Sequence, residues 1–550
     1  MVLIAAGLLC SRQGVARAID APAGENVFTA PIPPGGHANI FQLDTAQLED
    51  ANRRGRRALL QYVATDTTIA GPYDPMSRLY RRLDHRRLLR RAVQRNGLSD
   101  IGHGWTDTYA SAGLVPYPQT EDAGAYFVPF PEAGRPTTPM GFTVFADAHH
   151  TRRFTLSCAA CHTRNLFGRP VLGGTNLVGG AGDTLLLLKK VSRLPDRKYR
   201  FATHADQNEL AAFRSLKHQA HSVQGKPSRA PGLENPVAFV GQALERQTPN
   251  VSAPTSTYQT ETKPPVLWNL KYKNRFQHDG SMRGNPLLAN LIFNEVGRGA
   301  NLAELERWIA QKRDVIDDLT AAAYAMTAPR WTDFFPAASI DIAQARRGEH
   351  VFEQRCAHCH GMYEKAWHAT DVATLAEPAR AGLLETVRVT MPTETISRDV
   401  GTDRLRSEAM VGLASRANRL SVFRKNDISF TSNPGQYVPP PLVGVWARWP
   451  YLHNNSVASL DQLLTPAKDR ATTFYVGPAD DAERDYDAHA VGFPLGDDTP
   501  RNWRRPSRLF DTRLPGLSNS GHDEGIFATD GVSDLADTER RDLIEFLKTL

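Results

Sequence analysis

Four of the five cysteines fall into two motifs of identical spacing, Cys158-Ala-Ala-Cys161-His162 and Cys356-Ala-His-Cys359-His360. Two intervening residues put both sulfurs on one face of a single helical turn, with the adjacent histidine directly beneath them. That arrangement suits thioether attachment of a haem whose iron is ligated by the histidine. Other uses of Cys-x-x-Cys fit poorly. A structural zinc site brings its pairs within about 15–20 residues of each other, whereas these lie 198 positions apart. A thioredoxin-like pair needs a βαβ context that neither motif has. The chain reads as a c-type cytochrome with two covalently bound haem c groups, held by Cys158, Cys161 and His162, and by Cys356, Cys359 and His360.

Haem attachment to thiols belongs in an oxidising, exported compartment, so a periplasmic or secreted location is expected. The start of the chain agrees with this. Val2 to Cys10 form a short apolar run and Ala16-Arg17-Ala18 offers a cleavage site, so residues 1–18 read as a signal peptide. Nine apolar residues are too few to span a bilayer, and no membrane span is expected elsewhere. Leu9 before Cys10 fits poorly where a lipid-modified cysteine wants a small residue. A net charge of +6 over 550 residues is too weak to argue for nucleic acid.

The expected fold is mainly α, with two cytochrome c-type domains, long irregular loops and an N-terminal extension. The 41 glycines and 37 prolines account for the loops. Residues 19–135 form the extension. In it, arginines between Arg78 and Arg95 are set among Leu79 and Leu83 at helical spacing, either a solvated face or a docking patch for an acidic partner. Residues 136–336 carry haem 1, and 337–550 carry haem 2. Helices are expected at Leu302–Gln311, Val315–Met326 and Asp341–Gln354. Pro329-Arg-Trp-Thr-Asp-Phe-Phe-Pro336 reads as the linker. Leu543, Phe546, Leu547 and Leu550 mark a final amphipathic helix with Asp537 as its N-cap. The two units amount to a loose internal duplication.

Several stretches together resemble the bacterial di-haem cytochrome c peroxidase superfamily. They are Pro264-Pro-Val-Leu-Trp268-Asn-Leu, Phe276-Gln-His278-Asp279-Gly280 and Pro450-Tyr-Leu-His453-Asn-Asn-Ser456. Phe474-Tyr-Val-Gly477, Asn519-Ser-Gly-His522 and the long gap between motifs are more similar to the larger branch that includes the haem-dependent rubber oxygenase. The resemblance covers roughly residues 140–550. It implies two unequal haems, with Trp268 between the porphyrins and His522 as second axial ligand of haem 2 opposite His360. His453 is implied as a structural or propionate-contacting residue, and as an alternative ligand. Asn455 stands where the family has Gly, a position asking for left-handed backbone.

The departures from the peroxidase pattern matter as much. Val178 occupies the place of a switchable histidine ligand, and Pro286 the place of the acid that assists peroxide cleavage. General acid catalysis needs a group that carries a proton, which Pro does not. Gly280-Ser-Met282-Arg283 should border the distal side of haem 1, so Trp268, His278 and Met282 are the candidate catalytic residues. His278 has two readings, a distal donor or ligand and a satisfied buried histidine; His149 and His150 read as surface residues.

Three functions follow from these readings. The first is an oxidoreductase whose open haem 1 uses dioxygen or peroxide on an organic substrate, while haem 2 with two histidines passes electrons. The second is a peroxidase fed by a small electron-donor protein, favoured if Glu295 reaches the distal pocket. The third is a non-catalytic di-haem electron carrier with both irons closed. No carboxylate cluster calls for calcium.

Overall fold

The computed structural model describes residues 26–64, 67–85, 104–121, 124–223, 226–252, 260–368 and 377–550. Cys10, the expected cleavage site and the arginine-rich stretch beyond residue 85 lie outside them. Helix makes up 42% of the structure and strand 11%, a mixed content where the sequence led us to expect mainly α. Among the described residues the strands form one three-stranded sheet and five two-stranded ladders, all antiparallel. Most strands run two to five residues, too short for alternation to register in a sequence pattern.

The second Cys-x-x-Cys-His motif is delivered by the helix Ile342–Arg355. Asp341 caps it, accepting from the Gln344 N–H at 3.0 Å. This helix crosses the final helix, Asp537–Lys548. Gly348 makes the crossing close, since a Cβ there would stand 1.9 Å from the Asp542 carbonyl oxygen. Beside it Arg347 grips the Asp542 carboxylate in a fork, Nε to Oδ2 at 2.9 Å and Nη2 to Oδ1 at 3.0 Å. Phe352 and Phe546 pack across the crossing with ring centres 5.2 Å apart. The expected N-cap of the final helix shifts by one: Ala536 is the N-cap and Asp537 the first helical residue. Glu539 supplies the cap from within the first turn, its Oε2 accepting from the Ala536 N–H at 2.9 Å.

The same device recurs in the first half of the chain. The helix Thr45–Leu60 opens with a capping box, Asp44 accepting from the Gln47 N–H at 2.9 Å and Gln47 accepting from the Asp44 N–H at 3.1 Å. It crosses the helix Arg313–Ala325, with Gly55 at the contact; a Cβ there would stand 2.0 Å from the Asp318 carbonyl oxygen. Arg54 forks onto the Asp318 carboxylate, Nε to Oδ2 at 2.6 Å and Nη2 to Oδ1 at 2.8 Å. An Arg-Arg-Gly on one helix and an Asp-Leu on the other thus occur twice, as 53–55 with 318–319 and as 346–348 with 542–543. This helix lies in the stretch read as an N-terminal extension, and it packs against the helix Arg313–Ala325 of the segment that carries the first motif.

Between Leu60 and Cys158 the chain makes a long excursion, yet it returns to the end of the same helix. Ser157 Oγ lies 2.8 Å from the Leu59 carbonyl and 2.9 Å from the Leu60 carbonyl, both left without helical partners at the C-terminus. The excursion contributes Leu79, Leu83, Phe142 and Phe154 to a smaller apolar cluster that also holds Phe213. There Arg78 Nε donates to the Thr203 carbonyl at 2.8 Å, and Arg82 Nη1 to that of Ala202 at 2.7 Å. These two arginines serve internal docking of helices.

The expected linker, residues 329–336, is packed rather than solvated. Trp331 is buried and lies against Phe335, Trp446 and Tyr486. The main apolar core runs from Phe28 to Leu550 without a break at this point. Its aromatic side chains bury large apolar areas, so proline and aromatic residues here form a wall between the halves rather than a tether.

Candidate haem sites

Each Cys-x-x-Cys-His motif forms the single turn anticipated for it. The His162 N–H bonds to the Cys158 carbonyl at 3.0 Å, and the His360 N–H to the Cys356 carbonyl at 2.9 Å. None of the four cysteines is paired in a disulfide. Burial raises each thiol pKa, that of Cys356 to about 12. Both motifs open onto one continuous cavity of about 670 Å³, also lined by Met282, His278, His453 and His522. Its apolar lining includes Leu287 and Leu291 from the helix Pro286–Arg298, and Ile316 and Leu319 from the helix Arg313–Ala325.

The two proximal histidines differ in what faces them. His360 Nδ1 lies 2.8 Å from the Pro440 carbonyl, which fixes the ring and leaves Nε2 for a metal. The His522 ring stands across from it, with centres 6.1 Å apart and planes 27° from parallel. Two imidazoles sharing one metal at about 2 Å per bond, each ring centre about 1 Å behind its nitrogen, would stand roughly 6 Å apart. The His522 Nδ1 is buried without a partner. Burial pulls His360 down to about 4 and His522 to about 3, so both are neutral, as a metal ligand must be. His162 is likewise pulled down to about 4 by burial, beside the Pro265 backbone. Among the described residues no second imidazole stacks beside it as His522 does beside His360.

His278 lies elsewhere in the cavity wall. Its Nε2 is 2.9 Å from the Lys263 carbonyl, and its ring centre is 6.2 Å from that of His453. Burial, then Arg406, takes His278 down to about 3. His453 stacks on Tyr437 at 4.3 Å, its Nε2 3.3 Å from the phenol oxygen. Met282 is fully buried, its backbone paired with Phe430, and Arg283 beside it is exposed. Asn455 has the left-handed φ expected of it, 57°, and donates to the Gly232 carbonyl at 3.0 Å. His149 and His150 are exposed.

Trp268 is fully buried in the short helix Leu267–Tyr272, and its neighbours Leu267, Asn269 and Leu270 line the cavity while it does not. The framework around it joins the two motifs. The Gly173 N–H bonds to the His162 carbonyl at 2.8 Å, and the Leu267 N–H to the Gly173 carbonyl at 2.8 Å. On the other side, Trp268 Nε1 donates to the Val443 carbonyl at 3.1 Å, three residues from the Pro440 that orients His360.

Glu295 is wholly buried and sits outside the cavity lining. Its carboxylate accepts from the Tyr62 hydroxyl and, at 2.8 Å, from the Thr67 hydroxyl. Burial raises its pKa. Pro286 opens its helix at N1 behind the N-cap Asn285, and Val178 is partly exposed. Neither of the two peroxidase positions holds a proton carrier.

The sequence reading missed the charge of the cavity. Lys263, Lys273, Arg298, Arg355, Arg406 and Arg448 line it, against Glu234 as the sole carboxylate among the described lining residues. Cysteine pairs beside neutral histidines, unpartnered buried ring nitrogens and a cationic, otherwise apolar wall together fit a haem, an apolar ring with carboxylates.

Residues 435–475 match the family described as RoxA-like, cytochrome c-like. A cytochrome c-like domain holds its haem covalently. The matched segment contains Tyr437, the Pro440 that holds His360, and the His453 turn. The match points to a haem cytochrome of that kind, and it does not extend to the wider di-haem peroxidase superfamily. Two proteins of Sinorhizobium fredii (strain NBRC 101917 / NGR234) are similar over longer stretches. The uncharacterized protein y4iJ is 26% identical over 76% of this chain and 78% of its own length. The uncharacterized protein y4iM is 27% identical over 53% of this chain and 65% of its own length.

Proposed function

We propose that this chain is a di-haem c-type cytochrome oxidoreductase, exported to the periplasm or beyond, in which the two haems have different tasks. The observation that carries this reading is the asymmetry of the two motifs. His360 faces His522 at the separation of two ligands on one iron, and among the described residues His162 has no such partner. A haem closed on both faces exchanges electrons, while one with a free face binds small molecules.

At the first site a bound haem would supply oxidation by dioxygen or peroxide. The chain's own residues set the surroundings. Leu287, Leu291, Ile316 and Leu319 give the cavity an apolar wall that favours an apolar organic substrate. Met282 adds a polarizable, buried wall. His278 is held neutral and anchored on the Lys263 carbonyl, which suits a hydrogen-bond donor better than a ligand. At the second site the Pro440 carbonyl orients His360, and His522 closes the opposite side. Trp268, set in the framework between the motifs, is the aromatic group best placed to pass electrons from one to the other. The duplicated Arg-Gly and Asp crossings support two equivalent cytochrome units. The sequestered Glu295 weighs against a peroxidase that uses it as its acid.

Low-temperature EPR of the ferric protein, with and without imidazole, tests the reading. A high-spin signal converted by imidazole, beside an unchanged low-spin signal, is the expected result. Two low-spin signals indifferent to imidazole would overturn it in favour of an electron carrier.

A further inference from the structure

The cations of the cavity do not spread evenly over it. Arg355 precedes Cys356, and Arg298 acts on Cys158 and Cys161, so these two belong with the attachment motifs. The other four gather around His278 and His453. Arg406, Lys273 and Lys263 all act on His278, Arg406 and Lys263 on His453, and Arg448 on both lysines and on His360. Their internal contacts are to neutral groups. Lys263 Nζ donates to the Pro450 carbonyl at 2.5 Å, Arg448 Nη1 to the Pro441 carbonyl at 2.7 Å, and Arg406 Nη2 to Gln277 Oε1 at 3.2 Å. Arg406 is 2% exposed, and its Nε and Nη1 have no partner. Asp279 offsets part of the Arg406 charge from nearby, but its Oδ1 accepts from Ser281 Oγ at 2.8 Å and its Oδ2 is unpaired.

Like charges gathered away from water are costly unless carboxylates join them. The cost is visible in the titration of the group. Burial, then Arg448, pulls Lys273 down to about 8, and burial takes Arg448 down to about 10. Apart from the nearby Asp279, no acid among the described lining residues meets this group, so the further compensating charge comes with what fills the cavity. We propose that Lys263, Lys273, Arg406 and Arg448 form one cationic island that receives the propionate carboxylates of haem, with Arg406 donating through Nε and Nη1. This rests on the haem reading above and adds the anchoring of the haem edge opposite the thioethers. Arg448 holds the Pro441 carbonyl next to the Pro440 that orients His360, so the island ties the electron affinity of the haem at that histidine to one set of charges.

Reduction of a haem adds one negative charge, which a nearby cation favours. The test uses the haem-loaded full chain, with haem content measured as the pyridine haemochrome and potentials by spectroelectrochemical titration. R406Q and K263M should keep two haems per chain, because the thioether bonds remain. Each should lower at least one potential by a tenfold change in the reduction equilibrium, which is about 59 mV for one electron. R406K should restore most of the shift, and R501Q, at an exposed site, should leave both potentials unchanged. If R406Q folds poorly, K273M carries the same expectation. Unchanged potentials in haem-replete R406Q and K263M would overturn the island while leaving the haem reading intact. So would unchanged potentials with weakened binding of a carboxylate probe such as benzoate, which would assign the island to an anionic substrate. Absence of haem from the wild-type chain would instead sink the reading on which the island rests.

Discussion

Gly348 presses its Cα against the Asp542 carbonyl, so close that a methyl group would lie 1.9 Å from that oxygen. Gly55 does the same against Asp318 at 2.0 Å. In each case the preceding arginine forks onto the carboxylate of the same aspartate. One crossing fixes the helix that leads into Cys356; the other fixes the helix whose end is tied to Ser157, next to Cys158. The two attachment motifs therefore hang from equivalent supports, although one is continuous in sequence and the other is not.

Replacing Gly348 by Ala should destabilise the chain in spite of better helix propensity. Propensity favours Ala by about 1 kcal/mol in a helix interior. A methyl group against backbone forces the helices apart, at about 1–3 kcal/mol or more. The net loss should appear as a lower denaturation midpoint in urea, with G55A behaving alike. A midpoint equal to wild type would mean that the crossing yields without cost.

Ser157→Ala removes the hydroxyl that joins the Leu59 and Leu60 carbonyls to the first motif. The expected loss is about 1 kcal/mol, the net worth of one hydrogen bond. The spectrum of the haem at His162 should change while that at His360 does not. Equal changes at both haems would contradict a local support.

His522→Ala should convert one haem from low spin to high spin and leave the other as it was. Exogenous imidazole should restore the low-spin state, since the side chain removed is itself an imidazole. An unchanged spectrum would refute His522 as a ligand.

Glu295→Gln should leave peroxide consumption within about twofold of wild type, because the carboxyl group is engaged by Tyr62 and Thr67 outside the cavity wall. A loss of tenfold or more would restore the peroxidase reading.

His278 should make stability fall on the acid side. Its pKa is 6.5 when unfolded and is pulled down to about 3 in the fold by burial, then by Arg406. The unfolded chain therefore binds the extra proton first. The contribution of His278 is present above pH 6.5 and is lost as pH falls towards 3. In H278Q the unfolding free energy should decline less steeply across that window. An identical slope would mean that the ring is protonated in the fold.

The turn geometry of the two Cys-x-x-Cys-His motifs was legible because two thiols and an imidazole so spaced share one helical turn. The helix Leu302–Gln311 and the approach helix at Asp341 were legible as helical segments, and the left-handed backbone at Asn455 from the glycine that the resembled family has there. His522 came from family likeness, and only the fold sets its ring opposite His360, across more than 160 residues of chain. The Arg-Arg-Gly and Asp-Leu pairs were present as text, but a three-residue repeat has no meaning until two helices cross. The linker reading failed because proline and aromatic residues mark a chain break or a packed wall equally well, and burial of Trp331 decided between them.

The sequence by itself determined the two thiol–imidazole turns, since cysteines and histidine within five residues act as a unit wherever the chain places them. Tertiary structure alone decided which motif histidine faces a second imidazole, where Glu295 is sequestered, and that four cations from distant segments converge on one cavity. Those outcomes depend on through-space distance and on the withdrawal of water, neither of which is encoded by local order along a chain.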